Sequence, residues 1–87
     1  MAQVWIPAPM RDLTAGRETV TVPGERVAEV INALELLYPG LKARLCNNDS
    51  LRPGLAVVVD TEVARLGLQQ PVGAESEVHF LPAIGGG

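Results

Sequence analysis

The chain is short of cysteine, histidine and positive charge, and each shortage removes a class of function. One cysteine in 87 residues, Cys46, allows no intrachain disulfide and no CxxC pair for metal or redox work. That agrees with a reducing compartment. One histidine, His79, cannot build a His-rich zinc site. Lys and Arg total 7 against 10 for Asp and Glu, a formal charge of -3, the wrong balance for displacing counterions from nucleic acid. No apolar run approaches the roughly 20 residues of a membrane span, and the opening MAQVWIPAPMRD lacks the basic segment and long apolar stretch of a signal peptide. The expected location is the cytoplasm, with neither nucleic acid nor membrane as partner.

Catalytic motifs are equally scarce. There is no GxxxxGK[ST] loop for nucleotide phosphates and no GxSxG nucleophile turn, and the acidic residues are dispersed rather than paired. Cys46 and His79 could in principle form a nucleophile and base. Their settings, the end of a helical turn and a strand face, fit a small apolar filler and a half-exposed strand residue better. An enzyme acting alone is not expected, and neither a metal site nor a cofactor bound by this chain.

What is present is a pattern for one small domain, since 47% hydrophobic and 20% charged residues suffice for a thin core but not for two. QVWIP alternates, placing Val4 and Ile6 on one strand face and Gln3 and Trp5 on the other. RETVTVPG alternates again around Val20 and Val22, and the two runs read as a hairpin. From Glu25 to Tyr38 the period changes to that of a helix. Val27, Val30, Ile31, Leu34, Leu37 and Tyr38 share one face, Gly24 is the expected N-cap, and Tyr38-Pro39-Gly40 is the stop. LKARLC adds a turn with Leu41 and Leu45 inward, and NNDSLRPG reads as loop. LAVVVD predicts a buried strand, Asp60-Thr61 a turn, and Glu62 to Leu66 a brief edge strand. GLQQPVGAES reads as loop. EVHFLP is a last alternating strand that Pro82 should stop.

One helix on a mixed sheet of four to five strands is a two-layer α+β domain with one wet sheet face. Strand parity puts Trp5, Val58, His79 and Leu81 on that face, away from the helix. A patch with three apolar members there is a candidate docking surface. The chain then finishes in LPAIGGG, whose consecutive glycines cannot contribute to a core and are costly to order. The expected division is a folded domain over residues 1–81 and a tail over 82–87.

The order of strands, the single helix and the terminal glycines resemble the MoaD/ThiS family of ubiquitin-like sulfur carriers, including the CysO type. The likeness covers essentially the whole chain: VWIPAPMRDLTAG resembles the family's opening strand and loop, VAEVINALELLYPGLKARL its helix and YPGL turn, and VHFLPAIGGG its closing strand and diglycine tail. Three departures stand out. Asp60-Thr61 replaces the frequent Asn-Gly, Ala74 to Ser76 replaces the frequent Asp-Gly-Asp, and Gly85 replaces the usual Ala before the functional pair Gly86-Gly87.

The resemblance implies a β-grasp fold and a protein co-substrate rather than a catalyst, or else the small subunit of a molybdopterin-synthase-like enzyme. It implies that a separate ATP-dependent activating enzyme adenylates the Gly87 carboxylate and that a sulfur donor turns it into a thiocarboxylate. A third protein, the acceptor enzyme, then takes the sulfur, in cysteine, molybdopterin or other sulfur-metabolite synthesis. A tail-trimming metalloprotease is a further implied partner. Trp5, Val58, His79, Leu81 and Gly85 are the expected partner-binding residues, and Gly86 and Gly87 the reactive end. The alternative is a ubiquitin-like modifier joined to lysines through its C-terminus. Glycine permits close backbone approach in a narrow channel, and the six residues from Pro82 to Gly87 span roughly 20 Å when extended.

Overall fold

In the computed structural model, which describes residues 1–82, the elements follow the expected order with additions between them. They are β1 (Ala2–Trp5), β2 (Thr19–Val22), α1 (Val27–Leu37), α2 (Leu41–Leu45), β3 (Cys46–Asn47), β4 (Ser50–Leu51), β5 (Leu55–Val59), β6 (Glu62–Val63) and β7 (Glu77–Pro82). Five strands form one mixed sheet in the order β2-β1-β7-β5-β6, so the last strand in sequence lies in the middle. It runs parallel to β1, with Trp5 opposite His79, and antiparallel to β5, with Val58 opposite His79 from the other side.

Alternation decides which side chains the helix covers. Ala2, Val4, Val20, Val22, Val57, Val59, Val78 and Phe80 face α1 and are buried with Val27, Val30, Ile31 and Leu34 of the helix. Burying each of those four helix side chains is worth about 1.5–3 kcal/mol. That exceeds what the helix's own propensity supplies, given its β-branched residues. Leu37 was expected on the same face but is 57% exposed. At 100° per residue it stands roughly 70° from the middle of the apolar stripe, and the helix ends there, Tyr38 leaving with φ -133°.

The helix also starts later than expected, with Arg26 rather than Gly24 as N-cap. Its first free N–H, on Val27, is taken by the Gln70 carbonyl at 3.0 Å, while Val72 N donates to Glu25 O at 2.9 Å. A cap supplied by backbone more than forty positions away leaves no local signal. Gly24 serves differently: at φ +149° a Cβ on it would lie 2.8 Å from both Val30 Cγ2 and Val30 N, so this close approach to the helix needs glycine. Glu35, near the other end of α1, accepts from Gly40 N and Lys42 N at 3.1 and 2.9 Å, turning its carboxylate into the cap of α2. Those backbone donors hold its carboxyl below the ordinary glutamate range.

Two expected loops carry short elements, and one expected strand is cut short. NNDSLRPG contains the β3/β4 hairpin, with Cys46 opposite Leu51 and Asn48 turning at φ 61°. The expected edge strand after Thr61 is only Glu62–Val63, and GLQQPVGAES begins with a 3-10 turn at Gly67–Gln69. Between β5 and β6 the two-residue turn Asp60-Thr61 has positive φ at both positions, 50° and 75°, the conformation in which hairpins favour Asn-Gly. The departure at Asp60 meets the one at Ser76. Ser76 Oγ donates to Asp60 Oδ2 at 2.6 Å, Glu77 N donates to Oδ1 at 2.8 Å, and Gly73 N donates to Ser76 Oγ at 2.8 Å.

Pro82 does not stop the pairing but takes part in it, opposite Leu55, as the last of the described residues. Asp60 N donating to Glu77 O at 2.9 Å sets the phase of the β5/β7 ladder. Residue pairs 58/79 and 56/81 exchange bonds, and 57/80 and 55/82 do not. The missing N–H of Pro82 therefore points away from β5 and costs that ladder nothing.

Candidate functional site

The face of the sheet turned away from α1 holds the sequence-predicted patch. Trp5, His79, Val58 and Val63 are successive partners across β1, β7, β5 and β6. The Trp5 and His79 rings stack with centroids 4.4 Å apart and planes 16° from parallel, a geometry in which both rings shed water without a hydrogen-bonding cost. His79 Nε2 stands 3.8 Å from Glu77 Oε1 on the same strand face. Leu81, two residues further along β7 and opposite Ala56, is 46% exposed, and Val63 is 64% exposed. Trp5, Val58 and His79 are half-buried by one another and by their neighbours. Gly85, Gly86 and Gly87 lie outside the described residues.

Next to this patch the sheet is unfinished. Residues 80 and 82 direct their backbone polar groups toward β1, where the next partner in register would be Pro7. Neither Pro7 nor Pro82 has an N–H to donate. The β1/β7 ladder therefore ends at Trp5 and His79, and the chain leaves through a 3-10 turn at Ala8–Met10. The gap is a groove of about 520 Å³, walled by Trp5, Pro7, Met10, Leu55, Phe80 and Leu81. Arg11 at its edge is held by Nε donating to Ile6 O at 3.1 Å and by Glu18 at 3.7 Å. Parity reasoning assigns Phe80 to the core and so misses this groove. The available signal was Pro7 and Pro9 directly after a short strand.

Cys46 and His79 are not brought together. Cys46 is packed in the core at the start of β3, where burial pushes its thiol up from the ordinary range, and His79 is on the far face of the sheet. A thiol held protonated is a poor nucleophile. Among the described residues no group of three or more His, Cys, Asp or Glu is placed to hold a metal ion. No described helix is long and apolar enough to cross a membrane.

The model of the ThiS family matches residues 4–87, the terminal glycines included. The chain belongs to the ThiS family. Within it, the sulfur carrier protein CysO of Mycobacterium tuberculosis is 33% identical over 89 residues, covering 97% of this chain and 96% of that protein. A chain of the crystal structure of the Amycolatopsis orientalis BexX/CysO complex superposes with a TM-score of 0.91 at 34% identity, with 100% of both chains covered. The small archaeal modifier protein 1 of Methanosarcina acetivorans superposes with a TM-score of 0.78 at 25% identity, covering 99% of this chain and 95% of that one. The fold of this ThiS-family chain is the ubiquitin-like β-grasp, a mixed five-stranded sheet on one main helix.

Proposed function

We propose that this ThiS-family chain is a sulfur carrier whose reactive group is the C-terminal carboxylate of Gly87. The observation that carries the reading is the reach of the family match, which runs through Gly85, Gly86 and Gly87 rather than stopping at the folded sheet. Its relatives named as sulfur carriers match over nearly their whole length.

The chemistry requires two partners beyond this chain. A carboxylate is a poor electrophile until one oxygen joins a good leaving group. An activating enzyme therefore lets the Gly87 carboxylate attack the α-phosphorus of ATP, releasing pyrophosphate and forming an acyl adenylate. Sulfide from a donor then displaces AMP and leaves a thiocarboxylate, whose sulfur is passed to a substrate in an acceptor enzyme. This chain binds no cofactor in the scheme; ATP belongs to the activating enzyme. β7 is described as far as Pro82, and five residues can span at most roughly 18 Å. The wet sheet face beside that exit, with Trp5, Val58, His79 and Leu81, is the surface that docks the partner.

Incubation with a cognate activating enzyme, ATP and sulfide should replace one oxygen of the terminus by sulfur. Intact-mass spectrometry and a thiocarboxylate-selective reagent locate it on Gly87. Label on Cys46 instead would overturn the choice of reactive group. Val58→Arg should keep the fold, because Val58 is only half-buried on the outer face, and should slow activation by introducing charge into an apolar contact. Normal activation of a folded Val58→Arg would remove this face from the interface.

A second reading, a modifier joined to lysines, is supported by the likeness to small archaeal modifier protein 1. Both readings share the activation step. Isopeptide-linked adducts on host proteins, with no thiocarboxylate on the free chain, would favour it.

A further inference from the structure

The groove beside β7 holds one polar group whose partner is missing. Gln3 N donates to Ser76 O at 2.9 Å, so residues 78, 80 and 82 face β1, and in a parallel ladder Trp5 takes the Val78 carbonyl and the Phe80 N–H. The Phe80 carbonyl comes next. Its donor in register would be residue 7, a proline without an N–H, and among the described residues no loop N–H takes that place, while the nearby Arg11 Nε donates to Ile6 O instead. Phe80 is only 3% exposed, so water reaches this acceptor little, and a buried carbonyl without a donor is costly. The groove, lined by both Pro7 and Phe80, is the opening through which a donor arrives.

The walls restrict what can carry that donor. Trp5, Met10, Phe80 and Leu81 offer rings, a thioether and a branched alkyl group, surfaces that favour an aromatic ring through edge and sulfur contacts. Arg11 at the rim disfavours a lysine or arginine. A strand would gain this one bond only, because Pro82 has no N–H to give in return. The volume of about 520 Å³ lies within the roughly 300–1,000 Å³ of pockets that hold a small molecule, and the groove adjoins Trp5, His79 and Leu81 of the docking face. We propose that it seats one neutral, donor-tipped aromatic side chain, a tryptophan or tyrosine, of the partner protein that docks on that face, with its N–H or O–H bonded to Phe80 O. The partner's identity rests on the docking reading; the chemistry of the pocket does not.

NMR titration of the full free chain reads the pocket without any activating enzyme. The probes are two matched pairs, indole against 1-methylindole and phenol against anisole, in which methylation removes the donor and keeps the ring. Saturable shifts should gather on Trp5, Met10, Phe80 and Leu81, the Phe80 carbonyl carbon should move with the donor-bearing member, and methylation should weaken binding about two- to tenfold in at least one pair. Pro7→Ala restores an N–H in register with Phe80 O. It should remove that difference with far-UV circular dichroism unaltered, and the comparison in the parent chain decides alone if the variant misfolds. Equal binding within both pairs, shifts centred elsewhere, or no saturable shift would overturn the proposal. So would groove shifts that follow protein concentration without any probe, which would give the groove to a second copy. Against a cognate activating enzyme, Pro7→Ala should weaken the complex by the same factor, and unchanged affinity would remove the partner's side chain from the groove. A failed thiocarboxylate assay beside intact probe discrimination would count against the sulfur reading alone.

Discussion

Thr61→Gly should stabilise the domain although it removes a side chain. Thr61 sits at φ 75°, is exposed, and its side chain takes part in no hydrogen bond among the described residues. A β-branched residue held in the left-handed region pays about 1–2 kcal/mol, and glycine returns roughly 0.5–1 kcal/mol of that through its freer unfolded chain. The net gain is about 0.5–1 kcal/mol, a rise in Tm of roughly 2–8 °C for a domain of this size. Asp60 makes the contrast. At φ 50° it is also relieved by glycine, but its carboxylate accepts from Ser76 Oγ and Glu77 N. Asp60→Gly should therefore destabilise, because Ser76, only 5% exposed, loses its acceptor. Thermal and urea unfolding of both variants by circular dichroism gives the comparison. Stabilisation by both, or by neither, would mean that the turn's backbone strain and the Asp60 acceptor role do not set its energetics.

The same cluster makes a pH prediction: hydrogen bonds from Ser76 and Glu77 hold the Asp60 carboxyl below its ordinary range. A depressed native pKa contributes stability that is full above the unfolded aspartate pKa and is lost as pH falls through the native one. The stability gap between the parent and Asp60→Asn should accordingly be largest near neutrality and narrow under acid, and a gap that is flat from neutral to acid pH would refute it. For the tail, deleting Gly87 leaves a diglycine but shortens the reach by about 3.3–3.6 Å, and a misplacement of about 1 Å can cost roughly 100-fold in rate. Pyrophosphate exchange should thus collapse for that deletion and for Gly86→Ala but persist for Gly85→Ala, with unchanged unfolding curves throughout. Equal exchange by the shortened chain would shift the reactive pair to Gly85-Gly86.

The sequence made legible whatever repeats within a few residues. Val27, Val30, Ile31 and Leu34 announce α1, and alternation in the long strands assigns Trp5, Val58, His79 and Leu81 to one face. The hairpin Cys46 to Leu51 escaped because two-residue strands carry no period. The start of α1 escaped because its cap is the distant Gln70 carbonyl. The groove escaped for a related reason: it depends on where the β1/β7 ladder ends, at Trp5 and His79, and a parallel pairing of strands over seventy positions apart is visible only once the sheet is assembled.

That β7 is both last in sequence and middle in the sheet has a consequence for biosynthesis. Hairpins β1/β2 and β5/β6 can form as they emerge, since their partners are near in sequence, but they share no strand until residues 77–82 arrive. Closing the sheet joins Gln3 to Glu77, a long-range contact of the kind that slows folding. A chain abandoned during translation before this point is two loose halves, exposed to proteolysis. Folding thus acts as proofreading: a partner that recognises the finished sheet meets only chains synthesised at least as far as the strand that carries the tail.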